Sequence, residues 1–162
     1  MAGITTRAGE LAAQLEEVNS KIVSTVTDAT GAQWRQQSPS EGWSVGVLAH
    51  HCAQVQGFFA GVMAGSEGRE PSPTTLTSQV IEENNARHAR DFADVGKSET
   101  LDALRVHGAA AVRHVSSLTD ERLDQAAVVF DGQELNWSQV VEGALIGHLN
   151  EHLASMRATI AG

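Results

Sequence analysis

The residues whose types and spacing could do chemistry lie near the C-terminus, in Gly147-His148-Leu149-Asn150-Glu151-His152-Leu153. Two histidines four apart on a helix point the same way, about 6 Å apart along its axis. At that spacing two imidazoles can reach a single metal ion. Val141, Leu145, His148, His152 and Met156 recur at steps of three or four, so both histidines fall in the stripe that should face the core. An imidazole there needs a partner, because an unpaired buried polar group costs about 1–3 kcal/mol. Taken alone, the spacing does not separate a metal site from two hydrogen-bonded core histidines.

A second helix starts after Trp43, with Ser44 as its N-cap, and runs from Val45 through Phe58, Phe59 and Met63 to the Gly-Ser-Glu-Gly break at residues 65–68. Its histidines are adjacent. His51 shares a face with Val47, Leu48, Val55 and Phe58 and is the inward one; His50 lies with Gly46, Val47, Gln54 and Gly57 on a more polar strip. Cys52 sits about 100° round from His51 and reads as a small buried residue rather than a soft ligand. One inward histidine here and two on the last helix make a set of three. Three protein ligands with an open position is the pattern of a catalytic zinc site, though nickel and iron also accept imidazole.

The other histidines fit quieter roles. His88 lies on a third helix, expected from about Thr75 to Val95, as a partly buried core residue; Asn84 and Asn85 interrupt its apolar side and suit side-chain hydrogen bonds or a pocket wall. His107 and His114, seven apart on a fourth helix capped by Ser98, suit a partly exposed face.

These elements stand in an all-α frame. Leu11, Leu15, Val18, Ile22 and Val26 trace a first amphipathic helix over about Thr6–Thr27. Asp28 to Gly42 reads as a connection in which Trp34 is a packing anchor. Thr119 caps a short turn through Leu123. Ala127–Phe130, Asp131-Gly132 and Gln133–Asn136 then form an extended loop or small ribbon too short for a sheet, before Ser138 caps the last helix.

Length and composition bound the partners. At 162 residues, 41% hydrophobic and 19% charged, the chain suits one domain, residues 1–162, with a substantial core. A net charge of -9 disfavours a nucleic-acid backbone or an anionic membrane surface. A single cysteine, no run long enough to span a bilayer and no basic-then-apolar leader lead us to expect a cytoplasmic protein.

Trp43-Ser44-Val45 with His51 eight residues after the tryptophan, then Gly147-His148-x3-His152-Leu153 with Arg157 beyond, resembles the DinB superfamily. The resemblance extends over Asn85-Ala86-Arg87-His88-Ala89 and the Gln-Glu-Leu-Asn-Trp lead into the last helix. It implies a four-helix bundle of up-down-down-up topology, often homodimeric, with a divalent metal (Zn, or Ni or Fe) held between helices. By that resemblance the metal ligands are His51, His148 and His152. The mycothiol-dependent maleylpyruvate isomerase branch carries Glu at the middle ligand position; here it is His148.

Activities in the superfamily cluster on low-molecular-weight thiols, as in bacillithiol and mycothiol S-transferases. The resemblance therefore implies a metal-dependent thiol S-transferase, in which the metal stabilises the thiolate that attacks an electrophile near Phe58 or Asn85. Two alternatives stand beside it. A metal-dependent hydrolase would use metal-activated water and want an inward carboxylate, where Glu151 lies toward the rim. A non-enzymatic metal- or ligand-binding stress protein needs neither.

Overall fold

The structure, a computed structural model, describes residues 5–162. It is mostly helical. Helix α1 (Arg7–Asp28) is capped by Thr6, whose hydroxyl accepts from the Gly9 amide at 3.0 Å. A short α2 (Gly31–Arg35) interrupts the expected connection, closed by a Thr30/Gln33 capping box. Helix α3 (Val45–Ser66) begins at Ser44, which accepts from the Val47 amide at 3.1 Å, as its position before the apolar run predicts.

Trp34 is the anchor expected of it. Its indole is buried, donates to the Val95 carbonyl at 3.0 Å and lies flat on α3 at Gly46. A Cβ at residue 46 would stand 2.7 Å from the ring, so only glycine admits this contact.

The segment after α3 departs from expectation. Thr74–Leu76 is a strand, β1, and the helix α4 covers only Ser78–Asp91. Strands β2 (Ala126–Phe130) and β3 (Gln133–Asn136) pair antiparallel, and β1 joins β2 in parallel, so the expected ribbon is one part of a three-stranded sheet. The missing partner was β1, taken as the start of a helix although Thr-Thr-Leu is β-prone. Asp131, at φ 45 in the β2–β3 turn, accepts from both the amide and the hydroxyl of Ser78 and ties the sheet to the first turn of α4.

Helix α5 (Lys97–Ser116) starts at Gly96 rather than Ser98. Lys97 explains the shift: its ammonium donates to the Thr27 and Ala29 carbonyls at 2.8 and 2.6 Å, docking this helix on the C-terminal end of α1. After the short α6 (Asp120–Leu123), capped by Thr119, the last rod is assembled from α7 (Trp137–Gln139), a π-helical stretch Val140–Gly147, and α8 (His148–Ala161). Its cap is Asn136 in a capping box with Gln139, not Ser138.

Helix α5 packs on α1 and α3, while α8 lies against both α1 and α3. Leu15 and Ile22, Leu48 and Met63, Leu104 and Val115, and Leu145, Leu149 and Met156 meet in the shared core. Each such side chain contributes about 1.5–3 kcal/mol by leaving water. No helix among the described residues is long and apolar enough to cross a membrane.

Candidate metal centre

His51 comes from the second turn of α3, and His148 and His152 from the first two turns of α8. The wide turns before α8 set where that helix starts: the His148 amide reaches back to the Gly143 carbonyl, five residues away. Gly147 sits against the Glu142 carbonyl, 3.1 Å from where a Cβ would stand.

The three rings converge edge to edge. His148 Nε2 is 3.1 Å from His51 Nε2 and 3.0 Å from His152 Nε2, and one ligand atom from each residue lies within 4.8 Å of the others. His51 and His152 are buried and His148 is half-buried. The structure thus brings together the three histidines singled out from spacing.

Ring protons alone cannot satisfy this arrangement. The Nδ1–H of His152 donates to Glu41, whose carboxylate oxygens lie at 3.0 and 3.3 Å, so His152 turns a bare Nε2 toward the cluster. If His148 Nε2 carries a proton it can donate to His152 but cannot accept from His51; if it is bare, it faces the His152 lone pair. A cation between the nitrogens resolves both contacts. Metal–nitrogen bonds of about 2.0–2.1 Å put neighbouring imidazole nitrogens about 3.0–3.4 Å apart at ordinary coordination angles, so the donor set fits a divalent ion.

Electrostatics keep the donors unprotonated. Burial, then the neighbouring His152 and His148, push His51 down to about 3; burial and His152 push His148 down to about 4. Both rings therefore hold free lone pairs at neutral pH.

Glu41 is the functional residue that sequence reasoning missed. It stands on the loop before α3, folded back by a Gly42 amide to Ser38 carbonyl hydrogen bond of 2.8 Å and a Ser38 amide to Trp43 carbonyl bond of 2.8 Å. Gly42 takes φ 72, a left-handed conformation that glycine adopts freely. The same turn brings Trp43 over the site, its ring edge-on to His51 at 5.3 Å and stacked with His152 at 6.4 Å. A carboxylate two residues before that tryptophan was the signal available.

Other expectations need correction. His50 is not on a polar strip: it is buried, its Nδ1 2.9 Å from His88 Nε2 and its ring stacked on Phe92, because α4 covers that side of α3. Phe58 does not share the site; it is 46% exposed, along a groove with His107 and His114. Asn84 is exposed and Asn85 half-buried, and neither makes a side-chain hydrogen bond among the described residues. His107 is held by the Ala53 carbonyl at 2.9 Å and His114 by Glu67 at 3.1 Å, away from the cluster. Cys52 is fully buried, and burial pushes its thiol up, so it is the inert small residue expected. Glu151 is exposed.

Against known proteins, no curated sequence and no solved structure matches this chain. The sequence model of the DinB superfamily matches residues 14–160, a span that contains Glu41, Trp43 and all three converging histidines. The chain belongs to the DinB superfamily.

Proposed function

We propose that His51, His148 and His152 hold one divalent metal ion, zinc or in its place nickel or iron, and that the chain is a metal-dependent thiol S-transferase. In this reading α1, α3, α5 and the last helix are the family's four-helix bundle in up-down-down-up order. The protein works as a homodimer in the reducing cytoplasm, where low-molecular-weight thiols abound. The observation that carries it is the pair of Nε2 contacts at 3.1 and 3.0 Å that ring protons cannot both satisfy.

A divalent ion there supplies Lewis acidity that favours thiolate over thiol near neutral pH. The chain's own groups do the rest. Glu41 fixes the ring and tautomer of His152, so that its lone pair stays on the cluster side. Trp43 and the half-buried His148 border the approach, and the tryptophan excludes water from the His51 side. The sulfur forms a bond to the electrophilic carbon, the leaving group departs with the bonding pair, and the thiol proton passes to solvent or to that leaving group.

What favours this over a hydrolase is the engagement of the nearest carboxylate. Glu41 is committed to His152 Nδ1, and Glu151 faces solvent, which leaves no free general base. A thiol reaction needs no protein nucleophile, in keeping with a Cys52 sealed in the core.

The test is elemental analysis of purified wild type beside His51→Ala and His148→Ala, followed by thiol titration of the cobalt form. Near-stoichiometric metal lost in both variants, with thiol-dependent bands in the cobalt spectrum, supports the reading. Wild-type protein that takes up no metal after soaking overturns it. Turnover of an ester or amide without thiol would favour the hydrolase instead.

A further inference from the structure

Helix α4 is held in an unusual way. Of its 14 residues the buried one is His88, 6% exposed, while Val80 on the same helix is 44% exposed. A helix that docks through an apolar stripe would bury several aliphatic side chains. This one presents an imidazole to the centre of the molecule.

That ring stands among the site's own aromatic groups. Its centroid is 5.5 Å from His51, as close as His148 at 5.3 Å and His152 at 5.0 Å. Trp43 lies 6.2 Å away, and His50 and Phe92 close the far side at 5.2 and 5.0 Å. His88 Nε2 is engaged with His50 Nδ1 at 2.9 Å. His88 Nδ1 is buried and has no partner. A buried ring nitrogen in that state costs about 1–3 kcal/mol, a penalty that a bound ligand would remove.

We infer that His88 is a ligand-binding residue of this centre, its Nδ1 hydrogen-bonding a hydroxyl carried by the thiol substrate. This rests on the thiol reading above. The class of ligand follows from the surroundings. Either ring of the His50–His88 pair can carry the shared proton, so Nδ1 presents a lone pair or an N–H, and a hydroxyl answers both. A carboxylate set against His50, Trp43 and Phe92 would be a buried unpaired charge. The thiol is therefore a neutral polar one, with its hydroxyl a short chain away from sulfur.

Cobalt-loaded full-length protein provides the test, titrated with 2-mercaptoethanol and 3-mercaptopropanol against ethanethiol and propanethiol while the cobalt spectrum is followed. The hydroxyl thiols bind wild type about three- to ten-fold more tightly than the alkyl thiols. In His88→Gln the amide reaches His50 but not the Nδ1 position, and that ratio falls to about one. In His88→Asn the amide occupies the Nδ1 position without His50, and the preference is retained in part. Circular dichroism matching wild type qualifies each variant. Should His88→Gln fail to fold, His88→Asn decides alone: preference kept supports the assignment, preference lost overturns it. If all four thiols bind wild type with equal affinity, or folded His88→Gln keeps the full ratio, His88 has no ligand role and the thiol reading survives. If no thiol perturbs the cobalt spectrum, both fall.

Discussion

Glu41 and His152, 111 residues apart in the chain, meet with a carboxylate oxygen 3.0 Å from Nδ1, and this contact decides which nitrogen of His152 is free. Replacing Glu41 by Gln keeps the shape but weakens the grip on the Nδ1–H. Metal affinity should fall about 10–100-fold, measured by competition against a chromogenic chelator, with thermal stability of the metal-free protein little changed. An unchanged affinity would show that Glu41 merely fills space.

The loop that delivers Glu41 depends on Gly42. An alanine there meets no neighbouring atom, so its cost is the φ of 72 alone, about 1–2 kcal/mol. Gly42→Ala should lower stability by about that amount and also reduce metal affinity, because Glu41 and Trp43 flank the strained position. Urea midpoints with parallel chelator titrations check both; a stability loss with full metal affinity would separate the turn from the site.

Gly46→Ala makes the opposite case, of contact without backbone strain. Its Cβ would press the Trp34 ring from 2.7 Å, and overpacking of this kind costs about 1–3 kcal/mol. The expected outcome is a lower unfolding midpoint with metal stoichiometry preserved. A midpoint equal to wild type would mean that Trp34 gives way freely.

The lowered histidine values translate into a pH dependence of the metal-free protein. In the unfolded chain these imidazoles take up protons near 6.5, whereas folded His51 and His148 do so only near 3 and 4. Between those limits the unfolded state binds more protons, so stability rises with pH across the window and is lost progressively as pH falls from about 6.5 toward 3. Urea midpoints at several pH values in the presence of chelator should show this slope. It should flatten in His51→Ala and in His148→Ala; an equal slope in all three proteins would assign it to other groups.

Much of this was legible in the chain. The apolar steps of Leu15, Ile22 and Val26, or of Leu145, His152 and Met156, mark helices whose faces are decided locally, and the three converging histidines could be placed by the same counting. Glu41 could not. It lies on a turn with no periodicity, and its partner is far away in the chain. His50 was misplaced because face-counting assumes one wet side, whereas the first nine residues of α3, Val45 to Ala53, are all buried. Likewise β1 exists as a strand because Thr74 to Leu76 find Val128 to Phe130, a pairing that no local pattern announces.

The wide turns between Val140 and Gly147 carry a consequence for how this chain can change length. Deleting one residue there would let the stretch close as an ordinary helix. Everything beyond would then turn by about 100° and draw back by about 1.5 Å. His148 and His152 would swing away from His51 and Glu41 together, and Leu149, Leu153 and Met156 would leave the core with them. That stretch works as a phase adjuster, one extra residue of slack against which both the donor set and the downstream packing are geared. Its sequence is free to drift among apolar and small residues, but its length is not.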